Sequence, residues 1–330
     1  MTIRVLAPGR VNLIGDHTDY TGGLVLPMAI DRYTEVVGWR EGHRVQLHSA
    51  DEADTVDLPL DVQHPAAVTP AWGRYVAGVV SELHPEVGFH GSVSTDIPIG
   101  AGLSSSAALE VAVALALGHS GDALDLARTC QRAEQRASGV PCGIMDQLSI
   151  AAGVEGHAML IDCHELTIQP VPVPDDIEVV VQFIAHRTLV GSPYADRVAE
   201  CAAAEVEIGP LRHASPADTD SISDPTVRLR ARHVAEENQR VREFAAALRA
   251  HDLGEAGRLM IESHRSLAQQ YHTSTDRMDA AVEALCATPG VHGARMTGGG
   301  FGGCVVALAE PGALRHGWVV RAVGGARSSA

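Results

Sequence analysis

The chain of 330 residues contains no lysine, so its 25 Lys+Arg positions are all arginine. A Walker-type phosphate loop needs a lysine that reaches the phosphates, and it is therefore excluded. A protein kinase needs its strand lysine and is excluded too. Schiff-base chemistry on a lysine falls on the same ground. Long apolar runs are also missing. The most apolar stretch, Ala107 to Gly118, is too short to span a bilayer and carries Glu110. Met1 to Pro8 is too short in its apolar run for a secretory signal. The six cysteines form no C-x-x-C pair, so reduced thiols are expected rather than zinc or disulfides.

Basic charge is short overall. The formal net charge is −16 and no basic stripe is visible, so nucleic acid is not an expected partner. An anionic ligand must then be held locally, by backbone N–H groups, a metal ion and a few arginines. What is present is globular: 45% hydrophobic and 20% charged residues, in a length natural for two domains. No membrane partner is expected, and the reading is a cytoplasmic protein.

The patterning gives strands at Ile3–Ala7, closed by Pro8-Gly9, then Thr34–Trp39, Val45–Ser49 and Phe89–Thr95. Trp72–Leu83 has helical apolar spacing, and Ala107–Gly118 is apolar all round, as a buried helix is. A further helix covers Ala123–Ala137. Met159–Asp162, Leu166–Val171 and Ile177–Ile184 read as strands. Gly209–Pro225 reads as a surface loop, with Pro225 opening a long charged helix to about Leu248. Helices over Leu253–Gln270 and Thr275–Ala287 follow, then strands at Val291–Met296 and Cys304–Ala309.

Three motifs carry chemistry. In Pro98–Ala108, Gly100-Ala101-Gly102-Leu103-Ser104-Ser105-Ser106 opens the buried helix. Glycines let backbone approach a phosphate, a helix N-terminus offers unpaired N–H groups, and hydroxyls reach phosphate or Mg²⁺. The plainer alternative is a serine N-cap after a glycine turn. Pro8–Tyr20 gathers Arg10, Asp16, His17, Thr18, Asp19 and Tyr20. Such a cluster suits a polyhydroxylated ligand, and the alternative is a polar turn capped by its own aspartates. Arg295–Cys304 holds five glycines in six residues between two strands, which fits a close backbone approach, or else a flexible hairpin. A fourth segment, Pro141–Gln147, puts Asp146 at a helix start, where a capping role is the alternative.

Taken together in their order along the chain, these motifs resemble those of the GHMP small-molecule kinases, and within them the galactokinases. Pro8–Tyr20 looks like the galactokinase signature, Pro98–Ala108 the phosphate loop, Gly293–Cys304 the third glycine motif, and Pro141–Gln147 the segment of the catalytic aspartate. The resemblance implies an α+β, two-domain fold. Residues 1–170 would form an N-terminal domain of mixed sheet and helices. Residues 171–330 would form a C-terminal domain of antiparallel sheet and helices, with the active site in the cleft between. It implies MgATP and transfer of the γ-phosphate to a sugar's anomeric hydroxyl, in a monomer. By position, Asp146 would be the base and Arg10 would stabilise the transferring phosphate. Gly100 through Ser106 would hold ATP, and Ser106 with Glu134 the magnesium. Asp16, His17, Thr18, Asp19, Gly143 and Tyr194 would meet the sugar.

The chain departs from the pattern in three places. Asp16 stands where a glutamate is usual, Val181–Arg187 is unlike the usual stretch, and Arg197 is followed by Val198 rather than a second arginine. A kinase for a related sugar and a non-catalytic sugar and ATP sensor are the competing expectations. A dinucleotide-binding oxidoreductase fits less well, because a strand and not a helix follows the Gly298–Gly303 cluster.

Overall fold

Strand β1 (Ile3–Asn12) enters the core at once, with every side chain from Ala7 onward buried. It does not stop at Pro8-Gly9 as the sequence suggests. The pair forms a bulge against β3 (Pro27–Arg40), where Pro8 faces Tyr33 and Gly9 faces Ile30. Pro8 lacks an N–H, and a bulge absorbs that loss without ending the strand. The consequence is functional, since the continued strand carries Arg10 inward.

The structure is a computed structural model that describes residues 1–187 and 191–329. Among these, a six-stranded sheet runs in the order β13 (Arg327–Ser329), β1, β3, β6 (Phe89–Thr95), β4 (Arg44–Ser49), β5 (Val56–Pro59). Only the β4–β6 pair is parallel, so this sheet is mixed. A small antiparallel sheet joins β2 (Leu24–Val25), β7 (His157–Asp162) and β8 (Thr167–Pro172). A four-stranded antiparallel sheet runs β10 (Val291–Thr297), β11 (Gly303–Ala309), β9 (Glu178–Ala185), β12 (Trp318–Val320). The fold is α+β.

Helix α1 spans Gly73–Leu83, α2 Ser105–Leu117, α3 Ala123–Ser138 and α4 Met145–Ala152. Helix α2 packs on β1 and β3 on one side and on α1, α3 and α4 on the other, which explains its apolar circumference. In the second half, α5 (Tyr194–Ile208), α6 (Pro225–Arg249), α7 (Leu253–Ser266) and α8 (Asp276–Cys286) pack with β10 and β11. Asp224 caps α6 by accepting from Thr226 N at 2.7 Å, and Pro225 takes the first turn where no N–H is needed. Helix α7 ends earlier than its apolar pattern, at Ser266, and the chain widens into a π turn over Leu267–Tyr271. Gly209–Pro225 is a loop with short 3₁₀ turns, yet Leu211, Thr219 and Ile222 in it are fully buried. The boundary expected between residues 170 and 171 falls inside β8. Ala322 and β13 return to the first sheet, pairing with Ile30 and β1. No helix among the described residues is long and apolar enough to cross a membrane.

Candidate active site

The motifs converge on one cleft of about 320 Å³. Arg10 sits at its floor, 3% exposed. Its guanidinium grips Asp146 with both prongs: Nε donates to Oδ1 at 2.8 Å and Nη2 to Oδ2 at 2.7 Å. The third arm, Nη1, donates to Gly102 O at 2.7 Å. A fork matched to a carboxylate fixes both groups in angle as well as distance. Asp146 lies in the first turn of α4, and its Oδ2 also accepts from Ser104 Oγ at 2.5 Å. The phosphate loop, the β1 arginine and the α4 acid are thus one bonded unit.

Ser104 precedes α2 in the left-handed region, with φ +62°, so the turn presents Ser105 and Ser106 to the cleft. Ser106 Oγ donates to Glu134 Oε1 at 3.1 Å across from α3. Gln147 donates to Glu134 Oε2 at 2.5 Å and lies 3.4 Å from Glu110 Oε2. Burial, then the charge of Asp146, pushes the Glu134 carboxyl up to about 7. Glu110, fully buried, is driven well above the usual range by burial and then by Glu134. Paired hydroxyl and carboxylate oxygens, short of positive charge, suit a hard divalent cation with oxygen ligands.

At the other end, His17 adopts φ +67° and places Nδ1 2.9 Å from the Tyr20 hydroxyl. That hydroxyl is 2.7 Å from the Tyr271 hydroxyl. The Tyr194 ring packs 5.4 Å from His17 and 5.8 Å from Tyr20. Burial holds His17 well below its ordinary value, so it is neutral. Asp19 is raised to about 7 by burial and then by Asp146. Gly143 packs against that carboxylate: a Cβ there would lie 2.0 Å from Asp19 Oδ2. An aromatic wall beside carboxylate and imidazole edges can take the apolar face and the hydroxyls of a small polyol.

Arg10, Asp16, His17, Asp19, Gly100, Gly102, Ser104, Ser105, Ser106, Glu134, Gly143, Asp146 and Tyr194 all line this cleft. Thr18 does not. Its hydroxyl is buried, within reach of two carbonyl oxygens, Leu24 O at 2.6 Å and Gly15 O at 2.9 Å, which share its one proton and brace the loop from behind. Ala101 and Leu103 are also buried away from the cleft, Leu103 O accepting from Arg10 N at 3.2 Å. Asp16 is 1% exposed and tied to protein partners.

The structure adds Arg187, at the end of the unusual Val181–Arg187 stretch. Its Nη1 donates to Gly300 O at 2.9 Å, and its guanidinium lies between the phosphate loop and the third glycine motif. A Cβ on Gly102 (φ +82°) would sit 2.8 Å from Arg187 Nη2, and one on Gly298 would sit 2.9 Å from it. Glycine in both motifs therefore makes room for this arginine. Burial and the neighbouring Arg10 lower its affinity for its proton, as expected for two cations sharing one confined space. Its position in a segment unlike the family's usual stretch hid it from the motif reading.

Comparison with known proteins agrees. The model of the galactokinase galactose-binding signature matches residues 2–39. The GHMP kinase N-terminal and C-terminal domain models match residues 74–154 and 244–316. Human galactokinase is 42% identical over 95% of this chain and 86% of its own length. The chain belongs to the galactokinase family. Galactokinase from Bos taurus is 44% identical, over 93% of this chain and 84% of its own. The crystal structure of Lactococcus lactis galactokinase complexed with galactose superposes with a TM-score of 0.91 at 31% identity, covering 99% of this chain and 95% of that one. Methanococcus jannaschii mevalonate kinase, at 20% identity and a TM-score of 0.68, shares the fold. The galactokinase signature thus falls on β1, the loop after it and β3, which bear Arg10 and Asp16–Asp19.

Proposed function

We propose that the protein transfers the γ-phosphate of ATP to the C1 hydroxyl of galactose, releasing ADP and galactose 1-phosphate. The carrying observation is the Arg10–Asp146 pair, bonded to Gly102 and Ser104 of the phosphate loop, in the cleft that also holds the sugar motif.

Phosphoryl transfer asks mainly for positioning and charge neutralisation. Asp146 accepts the proton of the attacking hydroxyl, and the new oxygen–phosphorus bond forms as the bond to ADP breaks. Arg10 orients Asp146 and faces the charge that develops on the phosphoryl oxygens. Backbone of Gly100–Ser106 and the start of α2 receive the phosphates, with Arg187 as a second cation. Ser106 and Glu134 would hold a magnesium ion, which would supply charge neutralisation to the polyphosphate. His17, Asp19, Gly143 and Tyr194 receive the sugar. We place the enzyme in the cytoplasm as a monomer.

A coupled ADP-release assay over a panel of galactose, its epimers and pentoses tests this. Magnesium-dependent turnover with galactose as the best substrate is expected. If galactose is inert while another sugar turns over, the substrate is wrong. If no sugar stimulates ADP release, a sensor is the better reading.

A further inference from the structure

Asp16 is placed by its neighbours rather than by the cleft. Its Oδ1 accepts from Gly298 N at 2.9 Å, and its Oδ2 lies 2.7 Å from Arg295 Nη1. Arg295 is fully buried and also reaches Leu13 O at 3.3 Å. Its Nη2 lies 3.8 Å from Glu237 Oε1 on α6. Glu237, equally buried, accepts from Gly15 N at 3.0 Å, Ser263 Oγ at 2.5 Å and Arg240 Nε at 2.7 Å. The contacts therefore tie Leu13, Gly15 and Asp16 of the sugar motif to Gly298 of the third glycine motif. Thr297 adds to this, its Oγ1 donating to Asn12 O at 2.8 Å.

We infer that Asp16, Arg295 and Glu237 form a buried lock between the sugar motif and the third glycine motif, in which Asp16 is a positioning residue acting through Gly298 and not a contact to the sugar. This rests on the kinase reading above. Asp16 Oδ1 is taken by Gly298 N, and drawing the carboxylate away from the buried Arg295 would leave that charge uncompensated, so the ion pair resists a turn of Asp16 toward a hydroxyl. The lock has a route to the phosphates. A Cβ on Gly298 would stand 3.3 Å from Gly102 O and 2.9 Å from Arg187 Nη2. Moving Gly298 thus disturbs the phosphate loop and its second arginine together.

The test is ATP binding without sugar, by calorimetry, in Asp16→Asn and Glu237→Gln. Glu237 lies outside the cleft lining, and both changes keep side-chain shape. A lock predicts that each weakens ATP at least about fivefold, a typical coupling between sites. It also predicts that the double variant loses less than the product of the two. In turnover, the loss in kcat/KM for Asp16→Asn should agree within about twofold for galactose and each single-deoxy galactose, since nothing couples Asp16 to one hydroxyl. Unchanged ATP binding in folded variants overturns the inference. So does a loss that disappears for one particular deoxy sugar, which would mark Asp16 as that hydroxyl's partner. If either variant fails to fold, Ser263→Ala, which removes only one hydrogen bond to Glu237, carries the same binding test. Failure of the unaltered enzyme to phosphorylate galactose would refute the substrate assignment and leave the ATP result as the test of the lock.

Discussion

Glu134→Gln is expected to make the ligand-free protein more stable and the enzyme inactive. The folded Glu134 carboxyl sits near 7, above its ordinary 4.5, mainly because it is buried and then because Asp146 is close. The fold therefore favours its protonated form. The stability this contributes is complete below about pH 4.5 and is lost as the pH rises through 7. At pH 8 the ionised group is a net cost. A full shift would amount to about 3 kcal/mol, and the edge open to the cleft is screened by water, leaving on the order of 1–3 kcal/mol. Glutamine keeps the shape, can accept from Gln147 and can donate to Ser106, so it removes the charge without opening a cavity. In thermal unfolding without nucleotide, the variant should melt about 2–6 °C above the parent at pH 8. At pH 5 the gap should close, because Glu134 is then protonated. Turnover with MgATP should fall by roughly 10²-fold or more, as expected when a group neutralising phosphate charge is lost. Equal melting at pH 8, or a gap that does not change between pH 5 and pH 8, would refute the reasoning.

Two further outcomes follow from the same geometry. Gly143→Ala puts a Cβ within 2.0 Å of Asp19 Oδ2, so the galactose KM should rise about tenfold or more with the ATP KM little changed, in steady-state assays varying each substrate. Arg187→Gln keeps a donor for Gly300 O but removes a cation beside the phosphate loop. The ATP KM should rise and kcat fall by about tenfold or more, and sugar binding measured by calorimetry should not move.

The sequence pointed to the segments that meet in this cleft. The glycine-serine turn before an apolar helix suggested a phosphate or a plain cap from its own chemistry, whereas the roles expected of Arg10 and Asp146 came from the resemblance of their segments to the family's. What stayed hidden depends on distant partners. The short strands Leu24–Val25 and Arg327–Ser329 exist only by pairing with β7 and β1. Helix Tyr194–Ile208 buries Tyr194, Arg197, Cys201 and Ala204, an inner face too mixed to give a strong apolar period. Thr18 matched the signature but turns its hydroxyl into the loop. Arg187 and the Asp16–Arg295–Glu237 network needed coordinates, since their contacts span 113, 282 and 222 positions of chain. The absence of lysine was the one compositional clue that phosphate charge, if bound, falls to arginines.

The account stands on Asp146 as the group that takes the sugar's proton while Arg10 holds it in place. Single-turnover phosphorylation of galactose by Asp146→Asn, with sugar binding checked by calorimetry on the same sample, measures that directly. Asparagine keeps the shape and removes the base, so the rate should fall by about 10²–10⁴-fold while galactose still binds. Turnover within tenfold of the unaltered enzyme would contradict the account.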